Sequence, residues 1–394
     1  MISIIKFAGF IGAFLLILLG AHYWLFSTVM RFFPIGDPGI RKTALWVMVF
    51  LALSFFPSAI LVRLHFNIIT HLFYHFSCIW LGFFLHLLMA LVLIWAVFGA
   101  GKLLGFAPDM RMVVIGFFLL AWVVSLYGMW QARNPIIKRI EVEIKGLPDH
   151  WRGRTIVHLS DVHLGAIQKA SFMYRVAEKV NSVNPDLILI TGDLFDGMGG
   201  DLSSFIQPLN SLKAPLGIFF VTGNHEGYLG LARPLSILEK TAVRVLDNEI
   251  VDLKGLQIIG INFPEHDRRN DARKLLAASG SYDPDKPSIL LYHTPTNIAE
   301  YHTDRGSQQV STYWFPDTSM KLAKERGIDL QLSGHTHRGQ LFPFGMLARA
   351  IYHGYEYGLH TDGDFHLYVS SGVGTWGPPM RTEGSSEIVL IQLH

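Results

Sequence analysis

The chain has 394 residues, a formal net charge of +2, half of its residues apolar and only 16% charged. That length exceeds one ordinary compact domain, and so small a charge, with no Lys/Arg-rich run, excludes nucleic-acid binding through a basic patch. Cys78 is the single cysteine, which excludes an intrachain disulfide and a cysteine-based metal site.

Before residue 140 the only acidic residues are Asp37 and Asp109. Apolar runs near 7–28, 43–62, 74–98 and 112–130 are each long enough for the roughly 20 helical residues that cross a ~30 Å hydrocarbon core. They are bounded by Arg31 and Pro34, by Arg63, by Gly101 and Lys102, and by Arg133 and Pro135. The pattern predicts an all-α transmembrane domain over 1–135, multi-pass in the cell membrane, with its first helix retained rather than cleaved as a signal peptide. Four crossings would leave both termini on one side. Lys6, Arg63, Arg133, Lys138, Arg139 and Lys145 on that side balance Arg31, Arg41, Lys42, Lys102 and Arg111 on the other, so charge does not select the side. His65, His71, His75 and His86 recur in this part and read as interhelical or interfacial hydrogen-bonding groups.

From 136 to 394 short β-rich runs alternate with amphipathic segments, the pattern of an α/β domain. Arg154 to Ser160 runs into Asp161, Asp186 to Thr191 into Gly192-Asp193, and Gly217 to Thr222 into Gly223-Asn224-His225. Ser288 to Tyr292 runs into His293, and Ile328 to Ser333 into Gly334-His335-Thr336-His337. Five apolar strands therefore each deliver a polar ligand type at the carboxyl end, the edge where α/β sheets build their sites. Taken singly, each histidine is more ordinary as a structural residue. Together, Asp161, His163, Asp193, Asn224, His293, His335 and His337 offer imidazole, carboxylate and one amide without thiolate, a set that suits Mn, Fe or Zn. Seven donors exceed what one open site needs, and a shared carboxylate would let them hold two ions.

Asp161-Val162-His163, Gly192-Asp193, Gly223-Asn224-His225-Glu226, His293 and Gly334-His335-Thr336-His337 together resemble the five-block signature of the calcineurin-like metallophosphoesterases. The tail Ser370-Ser371-Gly372-Val373-Gly374-Thr375, then Gly377-Pro378-Pro379-Met380-Arg381 and Glu387-Ile388, is similar to the bacterial YkuE/YaeI phosphodiesterase branch of that family. The resemblance implies a four-layer αββα sandwich preceded by the transmembrane bundle, with two divalent ions at the sheet edge. It implies Asp161, His163, Asp193 and His337 around one ion, and Asp193, Asn224, His293 and His335 around the other. Attack on phosphorus would come from a hydroxide shared by the ions. His225 would be the catalytic residue, donating a hydrogen bond or proton, oriented by Glu226 where many relatives have Asp.

Arg338, where relatives often have Gly, and Arg381 are candidates for binding an anionic substrate, against a solvent-facing position for the first and a structural ion pair for the second. Asp196 reads as a helix N-cap, His158 as packed, and His353, His360 and His366 as lying outside the reacting groups. The expected activity is phosphodiester or phosphomonoester hydrolysis at a membrane. The alternatives are cleavage of a pyrophosphate in a lipid-linked nucleotide or sugar, and a metal-dead scaffold. Substrate selection is expected from loops such as His302 to Asp317.

Overall fold

The computed structural model describes residues 2–264, 272–277, 282–298 and 314–394. The chain divides into two compact units, Met1–Met129 with Gly377–Met380, and Trp130–Trp376 with Arg381–His394. Most of the loop His302 to Asp317, expected to select substrate, lies outside the described residues.

The first unit is built from α1 (Ile2–Phe32), α2 (Pro38–Leu53), α3 (Phe55–Leu64), α4 (Ile68–Leu104) and α5 (Met110–Arg133). Three helical segments are long and apolar enough to cross a membrane: Gly12–Phe32, Ile68–Leu104 and Met110–Arg133. The expected span at 43–62 is not one straight helix, because α2 and α3 meet at a 50° bend. Pro57 accounts for the break: it has no N–H to donate, and its ring opposes the carbonyl of Leu53 four residues back. Only if the bent pair also crosses are there four spans, so the shared side for the two termini depends on it. α4 starts at a capping box, in which Asn67 accepts from the N–H groups of Ile69 and Thr70 while Thr70 Oγ1 accepts from Asn67 N–H. It stops at Gly105, whose φ of 74° a left-handed cap requires.

Leu25, Phe84, Leu91, Ile94, Val114 and Ala121 form the interior of this unit. Three hydrogen bonds between helices engage polar groups in this unit. Trp80 Nε1 donates to His22 Nε2 at 3.0 Å, Trp95 Nε1 donates to Thr28 Oγ1 at 2.9 Å, and His86 Nδ1 pairs with Ser125 Oγ at 2.8 Å. His86 thus makes the interhelical bond read from the sequence, and His22 makes one that the sequence did not single out.

The second unit contains twelve strands among its described residues: β1 (Ile136–Val142), β2 (Thr155–Leu159), β3 (Leu187–Thr191), β4 (Ile218–Val221), β5 (Val243–Val245), β6 (Glu249–Leu253), β7 (Leu256–Ile261), β8 (Ser288–Tyr292), β9 (Leu330–Ser333), β10 (Gly358–Asp362), β11 (Phe365–Val369) and β12 (Glu387–Leu393). They form two six-stranded sheets, ordered β1-β12-β2-β3-β4-β5 and β10-β11-β9-β8-β7-β6. The helices that matter here are α6 (Ala170–Asn181), α7 (Asn224–Leu229) and α8 (Lys321–Glu325).

The period of two along each strand sorts the side chains into layers. Val157, Leu159, Ile188 and Ile190 pack on Phe172, Met173 and Val176 of α6. The alternating set, Ile156, Leu187, Leu189 and Val221, meets Ile258, Ile289, Leu291 and Leu332 of the other sheet, with Trp151 buried among them. On that sheet's far side Ile259, Ile261, Leu290 and Tyr292 pack with Leu322 and Ala323 of α8. The order helix, sheet, sheet, helix is the expected four-layer sandwich. Each fully buried Leu or Ile contributes about 1.5–3 kcal/mol relative to exposure, so this interior fixes both sheets relative to one another. Both sheets bring parallel strands, β2-β3-β4 and β8-β9, to one edge.

Candidate metal centre

The carboxyl ends of these five strands bring the expected ligand residues together. Asp161 and His163 follow β2, Asp193 follows β3, Asn224 and His225 open α7 after β4, His293 follows β8, and His335 and His337 follow β9. Asp161, His163, Asp193, His335 and His337 all have positive φ, between 49° and 72°. Left-handed backbone at a non-glycine residue costs about 1–2 kcal/mol. Five such residues around one point mark a strained constellation held by the two sheets beneath it. Nothing in the residue types announces that strain.

Donor atoms of Asp161, His163 and His337 lie within 4.8 Å of one another, as do those of Asp193, His293 and His335, and those of His163, Asp193 and His225. His163 Nε2 is 2.9 Å from His337 Nε2, and His337 Nε2 is 3.2 Å from Asp161 Oδ1. In the neighbouring group His293 Nε2 is 3.2 Å from Asn224 Oδ1, from His335 Nδ1 and from Asp193 Oδ2. Asp193 Oδ2 is also 3.8 Å from His163 Nε2, so this one oxygen faces both groups. Lone pairs converging from buried imidazoles and carboxylates have little to gain from each other, and this donor set fits cations.

The surroundings orient these donors. Asp161 Oδ2 accepts from Ser160 Oγ at 2.6 Å and from the His335 N–H at 3.0 Å. Asp193 Oδ1 accepts from the His225 N–H at 2.9 Å, which turns Oδ2 toward the centre. His293 Nδ1 donates to the carbonyl of Thr191 at 2.8 Å, leaving the Nε2 lone pair inward. Burial, then the neighbouring imidazoles, hold His163 well below its ordinary value and His335 at about 3, so both are neutral, the form a metal requires. Burial alone would raise Asp193, but His293 and His225 outweigh it and keep it ionised.

Two close approaches tie Gly334 to this geometry. A Cβ on Gly334 would lie 2.0 Å from Ser160 Oγ and 2.1 Å from Asp161 Oδ2. Gly334→Ala is therefore expected to displace Asp161 and reduce bound metal while the chain stays folded, read by metal analysis beside circular dichroism.

His225 sits at the rim of the centre, its Nε2 4.0 Å from Asp193 Oδ2. Gly197 N–H donates to its Nδ1 at 3.1 Å, directing Nε2–H to the centre. Burial acts to lower His225, but the Asp193 and Asp196 carboxylates prevail and raise it. Two expectations are corrected here. Glu226 does not orient His225; its carboxylate accepts from the N–H groups of Asp193, Phe195 and Gly223, lacing the loop after β3 to the loop after β4. Asp196 is not a helix cap. It is buried with Oδ1 3.6 Å from His225 Nδ1, and the cap in this loop is Asp201.

Arg381 is fully buried. Its guanidinium donates to the carbonyls of His337 at 2.9 Å and Gly374 at 2.7 Å and to Ser386 Oγ at 3.2 Å, which fixes the loop that carries His337. Arg338 is half-buried and lies over the Tyr357 ring, 4.3 Å from its centroid. His158 is packed, bonded to Thr191 Oγ1 at 2.7 Å. His353, His360 and His366 pair with Thr318, the Tyr357 carbonyl and Thr361, outside the centre.

The calcineurin-like phosphoesterase family matches residues 154–339, the stretch that holds every one of these candidate ligand residues. An uncharacterized metallophosphoesterase of Helicobacter pylori is 33% identical over 73% of this chain and 73% of its own length. The chain belongs to the calcineurin-like metallophosphoesterases. It is thereby a metal-dependent phosphoester hydrolase. A transmembrane protein with metallophosphoesterase domain from Danio rerio is 31% identical over 81% of this chain and 72% of its own. The metallophosphoesterase YkuE of Bacillus subtilis is 28% identical over 68% and 89%. Among residues that sequence reasoning missed for this metallophosphoesterase, Ser160 is a short-range partner of the first motif block. Arg381 acts on His337 across 44 positions of sequence, a distance no local pattern bridges.

Proposed function

We propose that the chain is a membrane-anchored phosphoesterase that hydrolyses phosphodiester or phosphomonoester bonds with two divalent ions, Mn, Fe or Zn. The observation that carries this reading is Asp193 Oδ2, 3.2 Å from His293 and 3.8 Å from His163, facing both donor groups at once. Asp161, His163, Asp193 and His337 would hold one ion, and Asp193, Asn224, His293 and His335 the other. When bound, such ions acidify water and neutralise phosphoryl charge.

The residues of the chain then divide the remaining work. Asp161 and Asp193 keep their carboxylates ionised and aimed inward, and Thr191 holds His293 in the required tautomer. His225 donates a hydrogen bond from Nε2 to a phosphoryl or leaving oxygen. As the water oxygen bonds to phosphorus the P–O bond to the leaving group breaks, and the departing oxygen ends with a proton from the water. α1, α4 and α5, with the mean hydropathy of the whole chain at +0.33, support the anchor.

The test is turnover by the purified full chain in detergent against phosphomonoesters, phosphodiesters and lipid pyrophosphates, with Mn, Zn and Mg compared. Hydrolysis of a mono- or diester that chelation abolishes and Mn or Zn restores is the expected result. Turnover of the pyrophosphates alone would replace the diester reading, and none at all would overturn it.

A further inference from the structure

We infer that Tyr228 and Trp376 form a subsite for a planar aromatic leaving group of the phosphoester. This rests on the phosphoesterase reading above and names the part of the substrate that the site selects. His225 is nine-tenths buried, yet two large aromatic side chains beside it are left open to solvent, Tyr228 at 47% and Trp376 at 51%. Both meet the same imidazole: the Tyr228 ring centroid is 5.1 Å from that of His225, tilted by 56°, and the Trp376 centroid is 6.3 Å away at 81°. Single exposed aromatics need no explanation. Two converging on the group that faces the leaving oxygen do.

The pair is also held in place. Gln340, buried three residues after His337, clamps the Trp376 backbone twice: its Nε2 donates to the Trp376 carbonyl and its Oε1 accepts the Trp376 N–H, both at 2.9 Å. Thr375 Oγ1, one residue earlier, accepts from Gln168 Nε2 at 3.2 Å. Under Tyr228 lies Gly197, where a Cβ would come within 3.0 Å of the Tyr228 Cβ, so the ring rests directly on the loop after β3. A helix and a clamped loop that present a phenol and an indole to solvent beside a catalytic donor lose little freedom when a flat ring docks. Aromatic faces stack on planar groups and offer an alkyl chain no comparable gain.

The experiment compares methyl phenyl phosphate with methyl hexafluoroisopropyl phosphate, an alkyl ester whose leaving group has matched acidity, in the full chain in detergent. Trp376→Ala and Tyr228→Ala are expected to lower kcat/KM for the phenyl ester about tenfold, to leave the alkyl ester within about twofold, and to keep the wild-type metal content. Trp376→Phe should recover most of the phenyl rate. Equal loss on both esters, or no loss on either, would overturn the subsite. A loss confined to substrate embedded in phosphatidylglycerol vesicles would overturn it too, because the rings would then be bilayer contacts. If the wild-type chain turns over the alkyl ester but shows no aryl preference sensitive to these variants, the phosphoesterase reading stands and the subsite falls. No turnover of any ester by the wild-type chain would remove both.

Discussion

Asp193→Ala is expected to abolish hydrolysis and to lower bound metal below two per chain. Its Oδ2 faces both donor groups, at 3.2 Å from His293 and 3.8 Å from His163. Two dications held about 4 Å apart repel by roughly 17 kcal/mol at an effective dielectric constant of about 20. A shared anion is what makes such a pair tolerable, and no other carboxylate among the described residues faces both groups. The same substitution removes the acceptor of the His225 N–H. Alanine is therefore expected to disturb the whole centre rather than one ligand position. Metal analysis and kinetics on one preparation read both effects.

His225→Ala is expected to keep both metals and to lower kcat by about 10² to 10⁴, the usual worth of a positioned proton or hydrogen-bond donor. The geometry sets up a real contest, because His225 Nε2 lies close enough to Asp193 and His163 to count as a third donor group. What argues for a substrate-facing role is its place at the rim, 4.0 Å from Asp193 Oδ2, with Gly197 and Asp196 behind its Nδ1. Loss of one metal in this variant would make His225 a ligand and leave the leaving oxygen without its donor.

Much of the metallophosphoesterase domain was legible because its motifs end strands. Apolar runs such as Leu187 to Thr191 stop at ligand residues, and period-two alternation then assigns the layers without further information. The contacts that orient the ligands were legible only in part. Adjacent residues invite pairing of Glu226 with its neighbour His225, whereas its place in the first turn of α7 carries its carboxylate back to the N–H groups after β3. Asp196 looked like a cap because caps are common for Asp in a loop, but the first helical turn in that loop opens at Leu202. Arg381 reads as either a phosphate contact or a structural group, because the sequence shows its charge and hides its burial. In the helical unit Pro57 stood inside the second apolar run all along, and hydropathy, which averages over about 20 residues, does not register one missing N–H.

The most direct measurement is metal stoichiometry per folded chain, taken on the full-length protein in detergent together with its phosphoester turnover, before chelation and after reloading with Mn or Zn. Two ions per chain, with turnover that is lost on chelation and regained only as the second ion binds, is the result predicted here. One ion per chain at full activity, or turnover that survives removal of both, would contradict the dinuclear centre built on Asp193.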